Sequence, residues 1–206
     1  MHLSNFLLHI TKDVSSEARL VSHKLMLKAG LIKKISSGVY SWLPLGVRVL
    51  ERIKSLIRYE FNNVGGHEVI LPSLQPSLIW EKSGRCSEKS ELKSQIFHLI
   101  DKKQNQYVLP PSGEEAVTDL FKSYLQSYKD LDKILYQITW KFRDEIRPRH
   151  GVMRAKEFLM KDAYSFNATK KEALLTYESI LVLYLKIFKK LELKAIPVLA
   201  STGAMG

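Results

Sequence analysis

Ile134-Leu135-Tyr136-Gln137-Ile138-Thr139-Trp140-Lys141-Phe142-Arg143-Asp144-Glu145 alternates apolar and polar side chains. Successive side chains of a strand point to opposite faces. Ile134, Tyr136, Ile138, Trp140 and Phe142 therefore share one face, and Gln137, Thr139, Lys141, Arg143 and Glu145 share the other. Alternation alone favours a strand with one face in water. A basic loop follows from Ile146 to Arg154, shaped by Pro148 and Gly151, and Lys156 to Phe166 returns as a second strand with Phe158 and Asp162 on one face. The hairpin gathers Arg143, Glu145, Arg154 and Phe158. Arginine grips phosphate oxygens with paired hydrogen bonds. A phenyl ring can stack on adenine and a carboxylate can accept from its amino group, so this set suits a nucleoside triphosphate.

On the N-terminal side, residues 15–29 read as a helix, with Ala18, Val21, Leu25 and Ala29 at helical spacing and Gly30 to end it. The segment 36–46 is turn-rich. A second helix follows over 47–61, with Val47, Leu50, Ile53, Ile57 and Phe61 on one face, and a short strand runs from His67 to Leu71. Pro76 starts a short helix through Trp80. Residues 95–100 and 106–109 form a hairpin around Asp101 to Asn105, and residues 114–126 are helical. Ser112-Gly113-Glu114-Glu115 has the form of a capping box at the start of that helix. Beyond the central hairpin, residues 170–191 read as a long amphipathic helix and Ala195 to Ala200 as a last strand. This order of helices and neighbouring strands gives an α+β fold, a largely antiparallel sheet flanked by helices. Neither a G-x-G-x-x-G after a strand nor a G-x-x-x-x-G-K-[ST] is present, so a nucleotide site must be built another way.

Composition bounds the class. Hydrophobic residues make up 45% of the 206, enough for a core, and the formal net charge of +11 favours an anionic partner such as RNA or a nucleotide, or else reflects scattered surface lysines. Cys86 is the single cysteine, which excludes an intrachain disulfide and suits a reducing compartment. No apolar run approaches the roughly 20 residues of a bilayer span, and no secretory pattern opens the chain. A cytoplasmic protein without membrane contact is expected. The histidines are dispersed, so no metal site is expected. Trp42 and Trp80 read as packing residues.

Arg143-Asp144-Glu145, a loop, and Arg154-Ala155-Lys156-Glu157-Phe158 resemble motif 2 of class II aminoacyl-tRNA synthetases. The longer text, Lys141 to Arg149, Gly151 to Arg154 and Glu157 to Phe166, is closely similar to bacterial-type prolyl-tRNA synthetases. Val21 to Gly30 and Trp42 to Leu50 also read like that family's N-terminal part. The resemblance covers the whole chain. It implies a class II antiparallel sheet flanked by helices, incomplete at the C-terminus, with motif 1 at about 46–76 and motif 2 at about 134–166. It further implies ATP-dependent activation of proline, with Mg²⁺, and transfer to tRNA(Pro) by a homodimer formed through motif 1.

By the same resemblance, Arg143 contacts the α-phosphate and the proline carboxylate, Glu145 faces adenine, Arg154 holds the γ-phosphate and Phe158 stacks on the base. Ser112 and Glu114 take the threonine and glutamate positions of the family's proline loop, so that Glu114 meets the secondary ammonium. Arg147 and, more weakly, Arg149 face the tRNA acceptor end. Ser112 for threonine, His150 for phenylalanine and Lys156 for arginine are departures from the pattern. The family's motif 3, any editing insertion and the anticodon-binding domain lie beyond the matched part. A missing motif 3 arginine costs on the order of 2–4 kcal/mol of transition-state stabilisation, so the chain alone is expected to be weakly active or inactive. A non-catalytic RNA-binding or dimerisation module and one half of a split synthetase are the alternatives. A seryl or threonyl type is a distant one, and the lack of zinc ligands disfavours the latter.

Overall fold

The computed structural model describes residues 2, 5–8, 10–13, 18–87, 90 and 92–200. In chain order its elements are α1 (Val21–Lys28), β1 (Ile32–Ser36), β2 (Val39–Trp42), α2 (Pro44–Asn63), β3 (Gly66–Glu68), β4 (Gln75–Pro76), α3 (Ser77–Lys82), β5 (Phe97–Ile100), β6 (Gln106–Leu109), α4 (Glu114–Tyr124), β7 (Lys133–Phe142), β8 (Glu157–Phe166) and α5 (Lys170–Lys190).

The β7–β8 hairpin is the backbone of the molecule. Its ten-residue strands pair in unbroken antiparallel register from Lys133↔Phe166 to Phe142↔Glu157, and β3 adds to β7 in parallel. A second sheet has the order β4-β6-β5, and β1 pairs with β2. The sheets are thus antiparallel except for β3 on β7, in a mixed α/β arrangement with flanking helices.

Side-chain alternation puts Tyr136 and Ile138 of β7, and Lys161 and Ala163 of β8, on one face. That face is covered by α2 and α5, whose Phe61, Leu183 and Ile187 form a buried cluster with Tyr136. Two features hold the covering helices in place. Thr169 caps α5, its hydroxyl accepting from the Glu172 amide at 3.2 Å while the Glu172 carboxylate accepts from the Thr169 amide at 2.8 Å. Glu60, buried on α2, pairs with Lys186 at 2.7 Å and with Lys190, both on α5. At the start of α2, a Cβ on Gly46 would lie 2.1 Å from the Leu31 carbonyl oxygen, so only glycine lets the helix lie against the bend that leads into β1.

Several expectations are corrected. The first helix begins at Val21, not at 15; residues 18–20 are non-helical and 15–17 lie outside the described residues. The turn-rich stretch contains the β1–β2 hairpin, turning at Gly38 with φ +77°. The strand expected over 67–71 is the short parallel β3, because its pairing with β7 stops at Glu68↔Tyr136. The fourth helix ends at Tyr124, and the first central strand ends at Phe142, so Arg143 to Glu145 lie beyond it. Residues 195–200 are not a strand: they pair with nothing among the described residues and leave Ile196 85% exposed. The second face of β7 is not in water either, since Gln137 and Lys141 are buried and Trp140 of the apolar face is the more exposed residue.

Candidate functional site

The polar face of the hairpin carries Gln137, Thr139 and Lys141 opposite Asp162, Met160 and Phe158. The segment Pro110 to Gly113 closes over it. The Phe142 amide donates to the Pro110 carbonyl at 3.1 Å, and the Gly113 amide donates to the Tyr164 hydroxyl at 2.9 Å. The Tyr164 hydroxyl donates in turn to Asp162 Oδ2, which also accepts from Gln137 Nε2 at 2.7 Å. Lys141, 2% exposed, donates to Thr139 Oγ1 at 2.7 Å and lies 3.3 Å from Asp162 Oδ1. The second contact is a close charge pair and not an aligned hydrogen bond. Burial pulls the Lys141 pKa down from its ordinary value, and Asp162 opposes that pull. A Cβ on Gly113 would meet Gln137 Nε2 at 2.4 Å, the Tyr164 hydroxyl at 2.8 Å and Asp162 Oδ2 at 2.9 Å. Only glycine lets the loop lie on this network.

Arg143 follows β7. Its amide donates to the Lys156 carbonyl at 2.8 Å, and its guanidinium lies 5.3 Å over the Phe158 ring, with Nη2 donating at 3.4 Å to the Pro111 carbonyl. Arg143 Nε is buried without a hydrogen-bond partner. Burial also lowers this guanidinium's pKa, opposed first by Glu114 and then by Glu145. Arg143 is therefore held between the loop that leads into α4 and the strand carrying Phe158, with spare donor capacity.

The sequence-picked residues fall into two groups around it. Glu145 and Arg154 face each other across the loop mouth and form a two-pronged ion pair at 2.8 and 2.9 Å, which holds the Glu145 carboxyl below its ordinary range. Arg147 is exposed on the same loop, its amide donating to Glu145 Oε1 at 3.2 Å. Ser112 and Glu114 form the second group, and the residue that joins them escaped the sequence reading. Arg85 Nη2 donates to Ser112 Oγ at 3.0 Å, and Nη1 donates to Glu114 at 3.0 Å and to both oxygens of Glu115 at 3.0 and 2.9 Å. Ser83 adds a hydrogen bond to Glu115 at 2.9 Å, and the Arg85 guanidinium lies 5.4 Å over Trp80.

The capping box expected at Ser112 is absent. Gly113 is the N-cap residue of α4, with no side-chain cap, because Arg85 takes both the Ser112 hydroxyl and the Glu115 carboxylate. Nothing in the spacing of Arg85, beside Cys86 in a loop, marks it. Lys141, Asp162 and Tyr164 were legible only as strand positions. Among the described residues no group of three or more histidine, cysteine, aspartate or glutamate side chains could hold a metal ion.

A site with this geometry can bind a small zwitterion at the carboxylates and a polyphosphate at the arginines. Residues 97–206 match the model of the family described as the tRNA synthetase class II core domain (G, H, P, S and T). The chain is 46% identical over all its 206 residues to the proline–tRNA ligase of Pelagibacter ubique, and 47% identical to that of Agrobacterium fabrum. It spans 46% of the length of each, and so less than half of these relatives. In fold, it is similar to Giardia lamblia prolyl-tRNA synthetase in complex with prolyl-adenylate. The TM-score is 0.74 at 22% identity, covering 81% of this chain and 34% of that one. The RNA binding domain of threonyl-tRNA synthetase from Cryptosporidium parvum gives the same TM-score, 0.74, at 24% identity, covering 82% of this chain and 42% of that one.

Proposed function

Because this chain belongs to the class II tRNA synthetase core family, we propose that it forms part of the active site of a proline–tRNA ligase. A carboxylate oxygen of proline attacks the α-phosphorus of ATP, the bond to the bridging oxygen breaks, and pyrophosphate leaves. The prolyl group then passes to the 3′ end of tRNA(Pro), releasing AMP. The whole-length similarity to proline–tRNA ligases supports the choice of amino acid.

The observation that carries this reading is the placement of Arg143. Its half-buried guanidinium lies over Phe158 and within the field of Glu114, with Nε unpartnered. A cation there meets both the proline carboxylate and the α-phosphate, and it stabilises the negative charge that builds on the phosphorus oxygens. Removing water from it strengthens that effect. Glu114 receives the secondary ammonium, and Ser112 adds a hydrogen bond. Arg85 orients both, so it is a positioning residue. Phe158 stacks on adenine and Glu145 accepts from its amino group. Arg154 exchanges Glu145 for the γ-phosphate.

Mg²⁺ would arrive with the nucleotide and would supply positive charge to its phosphates beside Arg143 and Arg154. Arg147 on the exposed loop contacts the tRNA acceptor end. Two copies pair through motif 1, about 46–76, where Tyr59, Ile70 and Leu74 are exposed. The reaction takes place in the cytoplasm.

The test is proline-dependent ATP–pyrophosphate exchange, with Arg143→Ala as the comparison. The chain alone should exchange weakly at most, and what exchange there is should need proline and fall by about two to three orders of magnitude in the variant. Exchange that is indifferent to Arg143, or driven equally by threonine or serine, would defeat the assignment.

A further inference from the structure

A second basic cleft lies outside the adenylate site. It has a volume of about 460 Å³ and is walled by the start of α1, the β1–β2 hairpin and the loop between β7 and β8. Arg19, Lys34, Arg149 and His150 line it, and among the described residues that line it there is no carboxylate. Two glycine turns bring its walls together. Gly38 (φ +77°) packs against Pro148, where a Cβ would lie 2.8 Å from the proline ring. Gly151 (φ +65°) packs against His23, where a Cβ would lie 2.8 Å from Cδ2.

His23 is 8% exposed, stands edge-on to Tyr40 with ring centroids 5.7 Å apart, and has a buried Nε2 with no hydrogen-bond partner. Burial, then the charge of Lys34, lowers its pKa, which favours a neutral ring. Buried polar nitrogens are nearly always satisfied. A neutral ring with a spare nitrogen among cations is suited to an anion that accepts a hydrogen bond. Leu20, the N-cap residue of α1, offers no side-chain cap to that helix end, and the end lines the same cleft.

We propose that this cleft holds a backbone phosphate of an RNA strand, with His23 as its buried donor and Arg19, Lys34 and Arg149 as its cationic rim. RNA is favoured over a free anion because the loop that supplies Arg149 and His150 also carries Arg147, and an acceptor strand crossing that loop continues into the cleft. The inference therefore rests on the reading of Arg147 as an acceptor contact. It adds a phosphate subsite formed by α1 and the β1–β2 hairpin, outside the catalytic pocket.

The test follows the His23 imidazole signals of ¹⁵N-histidine-labelled protein during addition of inorganic phosphate, and separately of an acceptor-stem RNA minihelix. Both should shift His23 and raise its pKa, and phosphate should compete with the minihelix. Lys34→Gln with Arg149→Gln, both exposed positions, should weaken minihelix binding by about tenfold or more. It should also lower the slope of log K against log salt by about one, since one phosphate is lost. Arg147→Ala should weaken the minihelix while leaving the phosphate response of His23 intact. If the minihelix binds and depends on Arg147 but leaves His23 unmoved, the subsite is wrong and the acceptor reading survives. A shift with phosphate and none with the minihelix would make it a free-anion site and overturn the RNA assignment. No minihelix binding at all would remove the acceptor reading and the subsite together.

Discussion

The two faces of the β7–β8 hairpin each bury a lysine, and they treat it in opposite ways. On the face under α2 and α5, Lys161 is enclosed by rings, its ammonium 3.6 Å from the Phe61 centroid and 4.3 Å from that of Tyr184, with a hydrogen bond to the Tyr184 hydroxyl. Burial pulls its pKa down to about 7. On the other face, Lys141 is tied to Thr139 and Asp162, and the same atoms reach Gln137, Tyr164 and the Gly113 amide. The helix face is held mainly by apolar packing around Phe61, Tyr136, Leu183 and Ile187, which is non-directional and tolerant, with the Glu60 ion pairs to Lys186 and Lys190 at its edge. The site face is held by directional bonds that fix the loop carrying Ser112 and the start of α4 at Glu114. Damage to the first should appear as stability, and damage to the second as function out of proportion to stability.

The largest effect is expected at Arg85. Arg85→Met leaves the Glu115 carboxylate, whose side chain is 2% exposed, without its cation and with only the Ser83 hydroxyl bonded to it. Breaking a buried pair on one side costs about 3–5 kcal/mol. Denaturant unfolding should show that loss, and Arg85→Met with Glu115→Gln should recover most of it. Recovery of stability without recovery of proline binding would confirm that Arg85 also positions Ser112 and Glu114. Full recovery of both would reduce it to a structural tie.

Gly113→Ala comes next. The added methyl meets Gln137, Tyr164 and Asp162 within 2.4–2.9 Å, and the network cannot yield without giving up bonds. Overpacking of this kind costs about 1–3 kcal/mol. The expected result is a KM for proline raised more than the KM for ATP. An equal rise in both would show that the loop is not specific to the amino acid and would blur the contrast between the faces.

What the sequence disclosed divides along the same line. The helix face was legible because hydrophobic periodicity is a local signal: the helices with Phe61 and with Leu181 and Tyr184, and the alternation through Tyr136 and Ile138, follow from neighbours within a turn or two. Arg143, Glu145, Arg154 and Phe158 were legible because one hairpin holds them. The polar network was not. Arg85 meets Ser112 and Glu115 across about thirty residues of chain, and Gly113 meets Tyr164 across fifty-one. No periodicity encodes such contacts. The capping box failed for the same reason, since a local rule at Ser112 yielded to an arginine brought in from far away. The strand expected over 195–200 is the converse case, because apolar alternation there finds no partner among the described residues.

Lys161 tests the helix face directly, and the sign of its pH effect is fixed by the direction of its shift. Its folded pKa is depressed, so between about pH 7 and the ordinary lysine value the unfolded chain binds more protons than the folded one. Stability contributed by this site therefore rises with pH across that window, by up to about 1.4 kcal/mol per pH unit. Unfolding of the wild type and Lys161→Met, measured from pH 6 to 9.5, should give curves that diverge above pH 7 in favour of the wild type. Parallel curves would mean that the two rings hold the ammonium charged, and then the faces differ less than their surroundings suggest. ATP–pyrophosphate exchange measured at fixed folded fraction should hardly change in this variant.

The smallest effect is expected at the mouth of the site face. Glu145 and Arg154 hold each other in a two-pronged pair, yet Arg154 is 46% exposed, so solvent screens much of the attraction. Glu145→Gln should cost less than about 1 kcal/mol of stability. Its chemistry is more informative than its size. The amide keeps an oxygen that can accept from adenine but loses the charge that competes with phosphate for Arg154. If Arg154 leaves Glu145 to grip the γ-phosphate, the variant begins with that arginine partly released, and AMP and ATP should respond differently. AMP affinity should stay level or fall slightly, while ATP affinity should hold or rise by up to a few-fold. Isothermal titration with both nucleotides separates the two. A fall shared by AMP and ATP alike would place Arg154 away from the terminal phosphate and leave the ion pair as a fixed strut of the loop.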